Sequence, residues 1–409
     1  MFNGMDLYTV SVSAPGKVIL HGEHSVVYGK TAIAVSLGLR SSIVVKEVHN
    51  NGDPTVNIHL PCVDLQETLP LKPMVQALFN PQLSPNITGK FSWRLPDKLN
   101  HDKHLRKVED LLHIIKPNFD TLQNNQKNSL RSFLYLFSGI YGSTHLPVKS
   151  MNISMGSELT IGAGTGSSAS FAVCLAGALI RLMKLKSASY DSYYDQSDDF
   201  SMTEKEIISE WAFNCERIMH GSPSGIDNAT CTFGSMVSFK KGGKPRVLNI
   251  RLNLRVLLVD SRVSRETRSL VVRVAALRQR NMAAVDHIME ACDHLAHTAT
   301  QVLEKISSGK CESDTESDYQ HLAELWEMNH CLLAALGVSH PALETIRAAA
   351  RERALACKLT GAGGGGYAMV LIPPSTPRSI VDSLAGQLLE HGFRVTETRL
   401  GGPGITLEM

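Results

Sequence analysis

Residues 162–169 read Gly162-Ala163-Gly164-Thr165-Gly166-Ser167-Ser168-Ala169, and an apolar run over 170–180 follows at once. Three glycines at alternate positions let the backbone approach a bulky anion with no Cβ in the way. A helix starting here also points unpaired N–H groups and a positive dipole end at the same spot. The ligand such a turn suits is phosphate. Ser167 and Ser168 fall at the N-cap or in the first turn, where a hydroxyl caps the helix or reaches a phosphate oxygen or a Mg²⁺ ion. A Gly/Ser turn that only starts a buried helix reads the same way, so the choice rests on the rest of the chain. Two further segments, 14–29 and 358–366, hold features that a plain turn does not need.

Period-two alternation at 8–14 predicts a half-buried strand, broken by Pro15-Gly16 and resumed at Val18-Ile19-Leu20. His21-Gly22-Glu23-His24 reads as a polar loop, with two further strands at 33–35 and 43–45. An edge hairpin is expected over 50–70, helices over 73–145, and a strand over 148–155 that delivers the glycine turn to a helix of about 15 residues. Residues 186–203 read as an exposed loop. A helix over 203–219 places Ile207, Ile208, Trp211, Cys215 and Ile218 on one stripe with Glu216 at its flank.

The chain has 409 residues, so two domains are expected, divided at the basic turn 240–246. Beyond it the pattern predicts a strand over 255–260, helices over 266–336 interrupted by an acidic, Ser-rich stretch at 307–319, and a helix over 341–356. A strand over 367–372, a helix over 377–391 and a strand over 393–399 then complete an α+β unit.

A net charge of +2 gives no field for a polyanion, so nucleic acid is not an expected partner. Eight cysteines without a Cys-x-x-Cys pair read as reduced thiols of a cytosolic protein. No basic region precedes an apolar stretch at the N-terminus, and Arg181 closes the longest apolar run. Neither a signal peptide nor a membrane span is expected, and the C-terminus carries no lipidation or peroxisomal tail.

Two generic nucleotide motifs fail on context. Gly29-Lys30-Thr31 ends like a P-loop, but the glycine that motif needs five residues earlier is His24. Residues 361–366 match G-x-G-x-x-G, yet a strand rather than a helix follows. That run remains flexible backbone able to pack against a triphosphate. Lys17, in Pro15-Gly16-Lys17, is either solvated surface or, with Glu23 and His24 close behind, part of a polar substrate pocket. Three His-x-x-His pairs, His21/His24, His101/His104 and His294/His297, lack a third ligand at sensible spacing. Glu216 and Asp227 bracket a permissive turn at 221–226. They are ordinary caps, or one holds Mg²⁺ while the other meets an acceptor hydroxyl. Arg262, Arg265 and Arg268, with Thr267, form a solvated loop or a clamp on an anionic group.

Together, Pro15-Gly16-Lys17, residues 162–169 and residues 358–366 resemble, in order, the three motifs of the GHMP small-molecule kinases, and 18–30 and 216–228 are similar to the mevalonate kinase branch. The resemblance implies a two-domain α+β fold. Its N-terminal part, 8–240, would be a mixed α/β domain with a left-handed βαβ-type unit, and its C-terminal part, 247–405, a ferredoxin-like α+β domain. It implies ATP-dependent phosphorylation of (R)-mevalonate at the C5 hydroxyl by a cytoplasmic homodimer. The alternatives are another GHMP kinase, such as a phosphomevalonate kinase or galactokinase, and a silent sensor of the same fold.

Carried over by position, Lys17 and Asp227 would be catalytic. Gly162, Ala163, Gly164, Thr165, Gly166, Ser167 and Ser168 would wrap the ATP phosphates, Ser167 as the cap, and Ser168 and Glu216 would ligate Mg²⁺. Lys17, Glu23, His24, Asp227, Arg265 and Thr267 would line the mevalonate pocket, with His24 and Arg265 on its carboxylate side. The family loop reads Pro-Pro-Gly-Ala-Gly-Leu-Gly-Ser-Ser. This chain has Thr160-Ile161 for the prolines and Thr165 for the leucine, which removes backbone rigidity and makes an apolar anchor polar.

Overall fold

The structure is a computed structural model that describes residues 7–79, 96, 99–144, 146–188, 199–248, 250, 252–264, 267–308 and 312–408. Strand β1 (Thr9–His21) runs through Pro15-Gly16 without ending. Proline has no N–H for the ladder, and the register against β2 (Ala32–Glu47) shifts at Pro15/Lys17 and again at Ile19/His21. The foreseen break is therefore a bulge in the pairing, where Gly16 of β1 faces residues 37–39 of β2. The two short strands expected at 33–35 and 43–45 are the ends of the single 16-residue β2, because its polar middle stays paired: Arg40 lies opposite Pro15 and Ser41 opposite Ala14.

The edge hairpin is β3 (Thr55–Leu60) and β4 (Leu65–Pro70). Strand β3 runs parallel to β5 (Met151–Ser157), which is antiparallel to β2. Helices α1 (Leu71–Leu78), α2 (His101–Ile115) and α3 (Asn124–Ile140) fall in the expected helical region, of which 80–95, 97, 98 and 145 lie outside the described residues. Helix α4 (Ser167–Ala188) has 22 residues, longer than expected, because arginine is a good helix former and half-buried Arg181 continues the helix. By length and composition α4 is apolar enough to cross a membrane, but 78% of its apolar window is buried against β1, β2 and α5 (Met202–His220). Most of the expected loop at 186–203 lies outside the described residues.

Helix α6 (Ile226–Phe233) precedes the β6 (Met236–Phe239) and β7 (Arg246–Leu248) hairpin, whose tip is the basic turn. The remainder comprises β8 (Leu254–Asp260), α7 (Thr267–Arg280), α8 (Met282–Ser308), α9 (Glu312–Ala335), α10 (Pro341–Arg351), β9 (Cys357–Leu359), β10 (Tyr367–Ile372), α11 (Arg378–Glu390), β11 (Arg394–Leu400) and β12 (Thr406–Leu407). The acidic stretch interrupts the helices for less than its full length, since α9 begins at Glu312 and acidic residues suit a helix's first turn.

The sheet order is β4-β3-β5-β2-β11-β8-β10-β9, and its two halves meet at one register pair, Leu400 opposite Leu37. Strand β12 returns to β1, where the Arg40 guanidinium holds Gly404 O at 2.7 Å and Thr406 Oγ1 at 2.9 Å. One core lies under α3, α4 and α5, where Trp211 sits so close to Gly139 that a Cβ there would come within 2.6 Å of the ring. Truncating a buried ring of this kind costs about 3–5 kcal/mol. A second core, around Trp326, joins β1 and β2 to β8, β10, α8 and α9, and so fixes the two sides of the cleft to each other.

Candidate active site

A cleft of about 660 Å³, in the range of small-molecule sites, runs between the glycine turn, the β1 bulge and the loop before β10. The turn is held open by left-handed glycines, with φ of 75° at Gly162, 83° at Gly164 and 74° at Gly166. The β1 bulge docks directly on it: Lys17 N donates to Thr165 O at 2.8 Å, and a Cβ on Gly166 would lie 2.8 Å from Lys17 Cγ. Gly166, not Ser167, occupies the cap position, since its carbonyl accepts from Ser170 N at 2.9 Å. Ser167 and Ser168 are the first residues of α4, and both line the cleft.

Among the seven loop residues, Gly162, Gly164, Gly166, Ser167 and Ser168 line the cleft, whereas Ala163 and Thr165 do not. Ala163 packs on the core between the sheet halves, and Thr165 is buried with no partner for its hydroxyl among the described residues. Ile161 lines the cleft, and Thr160 Oγ1 accepts from the Tyr367 hydroxyl at 3.1 Å.

Helices α5 and α6 supply the acids. Asp227 sits in the first turn of α6, after Gly225 at φ 84°, where the helix dipole favours a carboxylate. Its Oδ1 lies 3.1 Å from Lys17 Nζ. Burial, with the neighbouring Asp227 charge second, pushes the Glu216 carboxyl up to about 7. Glu216 Oε1 is buried without a hydrogen-bond partner among the described residues, and Ser168 Oγ lies 3.1 Å from His220 Nε2. An orphaned carboxylate oxygen near a first-turn hydroxyl is an oxygen donor set that suits Mg²⁺, which takes few protein ligands and completes its shell with phosphates and water. Among the described residues no three His, Cys, Asp or Glu form a self-sufficient metal cluster.

Glu23 and His24 also reach the cleft wall, in a segment more buried than a polar loop would be. Glu23's carboxylate is fully engaged, Oε1 by Lys358 Nζ at 2.5 Å and Oε2 by Asn329 Nδ2 at 3.2 Å. His24, at φ 58°, places Nε2 2.8 Å from Ala362 O. Thr267 lines the cleft from the start of α7, while Arg265 lies outside the described residues. In the long glycine run only Gly361 and Ala362 face the cleft. A Cβ at Gly363 would fall 2.1 Å from Val338 O and one at Gly365 2.6 Å from Val263 O, so those glycines serve close packing within the protein, not contact with a triphosphate.

Sequence reasoning missed Lys358 as the partner of Glu23, His220 beside Ser168, and the far end of the cleft. That end is formed by Leu60 at the end of β3, by Cys62 and Val63 after it, and by Asn125, Asn128 and Ser129 on α3. Only the i, i+3 spacing of Asn125 and Asn128 near a helix start hinted at them.

The family model described as the GHMP kinases N terminal domain matches residues 130–235, and that described as GHMP kinases C terminal matches 311–389. Mevalonate kinase of Candida albicans is 34% identical over 401 residues, covering 96% of this chain and 88% of its own. Mevalonate kinase of Homo sapiens is 34% identical over 398 residues, covering 97% and 94%. The solved L. major mevalonate kinase in complex with R-mevalonate superposes with a TM-score of 0.64 at 22% identity, covering 96% of this chain and 95% of that one. With near-complete coverage at this identity, and with the glycine turn, Lys17 and Asp227 in one cleft, the chain belongs to the mevalonate kinase family of GHMP kinases.

Proposed function

We propose that this kinase transfers the γ-phosphoryl group of ATP to the C5 hydroxyl of (R)-mevalonate, giving 5-phosphomevalonate and ADP. The observation that carries the reading is the 3.1 Å contact of Lys17 Nζ with Asp227 Oδ1, beside the glycine turn and the start of α4. Asp227 accepts the proton of the acceptor hydroxyl, and the Lys17 ammonium stands beside the alkoxide that develops. The left-handed glycines and the first-turn N–H groups of α4 hold the phosphates. Ser168 and Glu216 would hold Mg²⁺, which supplies positive charge to the β- and γ-phosphates. His24 and Thr267 form the mevalonate wall, with His24 toward its carboxylate, and Arg265 joins them on the resemblance alone. Glu23 acts through the loop it fixes, since both its oxygens are engaged.

The division at 240–247, a cytoplasmic location and a homodimer belong to the same proposal, the last measured by sedimentation velocity. The activity is tested by coupled ADP release with saturating Mg·ATP. Turnover is expected with (R)-mevalonate, and background rates with mevalonate alongside turnover of galactose or homoserine would refute it. Asp227→Ala should lose turnover by about 10²–10⁴-fold with its fold intact. Unchanged ligand response without any turnover in the wild type would favour a sensor.

A further inference from the structure

The glycine turn must present its N–H groups in one arrangement although its glycines permit many. On its C-terminal side it is fixed twice, by Lys17 N to Thr165 O and by Ser170 N to Gly166 O. On its N-terminal side Leu159 is buried in the core that joins the sheet halves, and next to it Thr160 Oγ1 accepts from the Tyr367 hydroxyl at 3.1 Å. The tyrosine is well placed to act as an anchor. It is 6% exposed and opens β10 opposite Asp260 of β8, and its own carbonyl accepts from Thr360 N at 3.1 Å. It also follows directly on the glycine run whose Gly361 and Ala362 form the facing wall of the cleft.

We propose that Tyr367 is a positioning residue for the nucleotide loop, acting through its hydroxyl on Thr160. One hydrogen bond ties the root of the turn to a rigid strand, so the loop is ordered before the nucleotide arrives and less of the binding energy is used to order it. The same bond sets the spacing of the turn from the opposite wall. Lys17 is held in β1 opposite Ser36 and Asp227 in the first turn of α6, so the acceptor side of the cleft meets the tether only through the Lys17 N to Thr165 O bond.

The proposal rests on the assignment of residues 162–168 to the ATP phosphates. Its test is a cycle of Tyr367→Phe, Thr160→Val and the double variant in the full chain, read by calorimetric Kd for Mg·ATP, by KM for each substrate and by melting temperature. Each single change should weaken Mg·ATP binding about three- to tenfold, with KM for (R)-mevalonate within twofold of wild type. The double variant should be no weaker than either single. A merely structural role would lower the melting temperature and move both KM values together, and that result overturns the proposal. So does an unchanged Kd in both singles, or a double variant whose loss is the product of the two. Wild-type protein that binds no Mg·ATP would remove the phosphate-loop assignment itself, whereas wild-type binding that survives Tyr367→Phe unchanged sinks the tether alone.

Discussion

The imidazole of His21 gives this protein a specific acid sensitivity. Its side chain is fully buried at the end of β1, and neither ring nitrogen has a hydrogen-bond partner among the described residues. Burial, with the Lys358 charge second and Asn329 opposing, lowers its pKa from 6.5 to about 3. The folded state therefore excludes a proton that the unfolded chain accepts below pH 6.5, so stability is complete above that pH and falls as pH drops toward 3. At 1.36 kcal/mol per pH unit, the loss at pH 5 is about 2 kcal/mol and at pH 4 about 3 kcal/mol, a large part of an ordinary folding free energy. The measurement is urea unfolding of wild type and His21→Gln at pH 7, 6 and 5. Carboxylates and His330 titrate in both proteins and cancel in the difference. The gap between the two stabilities should narrow, or reverse in favour of the variant, by about 2 kcal/mol between pH 7 and 5. Parallel pH profiles would show that His21 is not held neutral, and the reasoning would fail.

Other substitutions test the contacts around the cleft. Lys358→Met leaves the Glu23 carboxylate buried without its cation, with an expected loss of about 3–5 kcal/mol in urea unfolding; adding Glu23→Gln should recover much of that loss. Gly166→Ala forces φ 74° on an alanine and drives its Cβ to 2.8 Å from Lys17 Cγ, so kcat should fall at least tenfold while the overall circular dichroism is retained. Thr165→Val removes a buried hydroxyl without a partner, with an expected gain of about 1 kcal/mol in thermal unfolding and an unchanged KM for ATP. A rise in that KM would place the Thr165 side chain in the nucleotide site after all.

Local patterning located the elements whose periodicity is set within themselves. The hairpin of β3 and β4, the buried stripe of α5 and the start of β10 after the glycine run all follow from residue spacing. The misjudged elements take their limits from partners. Pro15-Gly16 looks like a strand end until β2 runs past it, and Arg181, which closes the apolar run, stands half-buried inside α4. Sequence motifs single out Lys17, Ser168, Glu216 and Asp227, and all four line one cleft. Lys358 stands in such a motif as well, but its role depends on Glu23, 335 residues away in the chain, and no spacing reports that distance. The far wall of the cleft, from β3 and α3, has no motif because side chains there answer to packing as much as to a ligand.

The same division explains how the glycine turn tolerates its departures from the family pattern. In a left-handed alternating turn, successive residues serve different surroundings: Gly162, Gly164 and Gly166 meet the cleft, while Ala163 and Thr165 meet the protein. A linear motif merges these two sets of constraints into one string. Thr165 is a change on the protein side, so its consequence falls on stability. Thr160 lies outside the alternating part, at the root of the turn, and there a hydroxyl gains a partner that a proline ring could not offer, the Tyr367 hydroxyl. Rigidity that proline would have supplied through φ is supplied here by a contact between distant segments. Loop geometry in this chain therefore depends on how the two halves of the sheet sit together, as it would not if the stiffness were local.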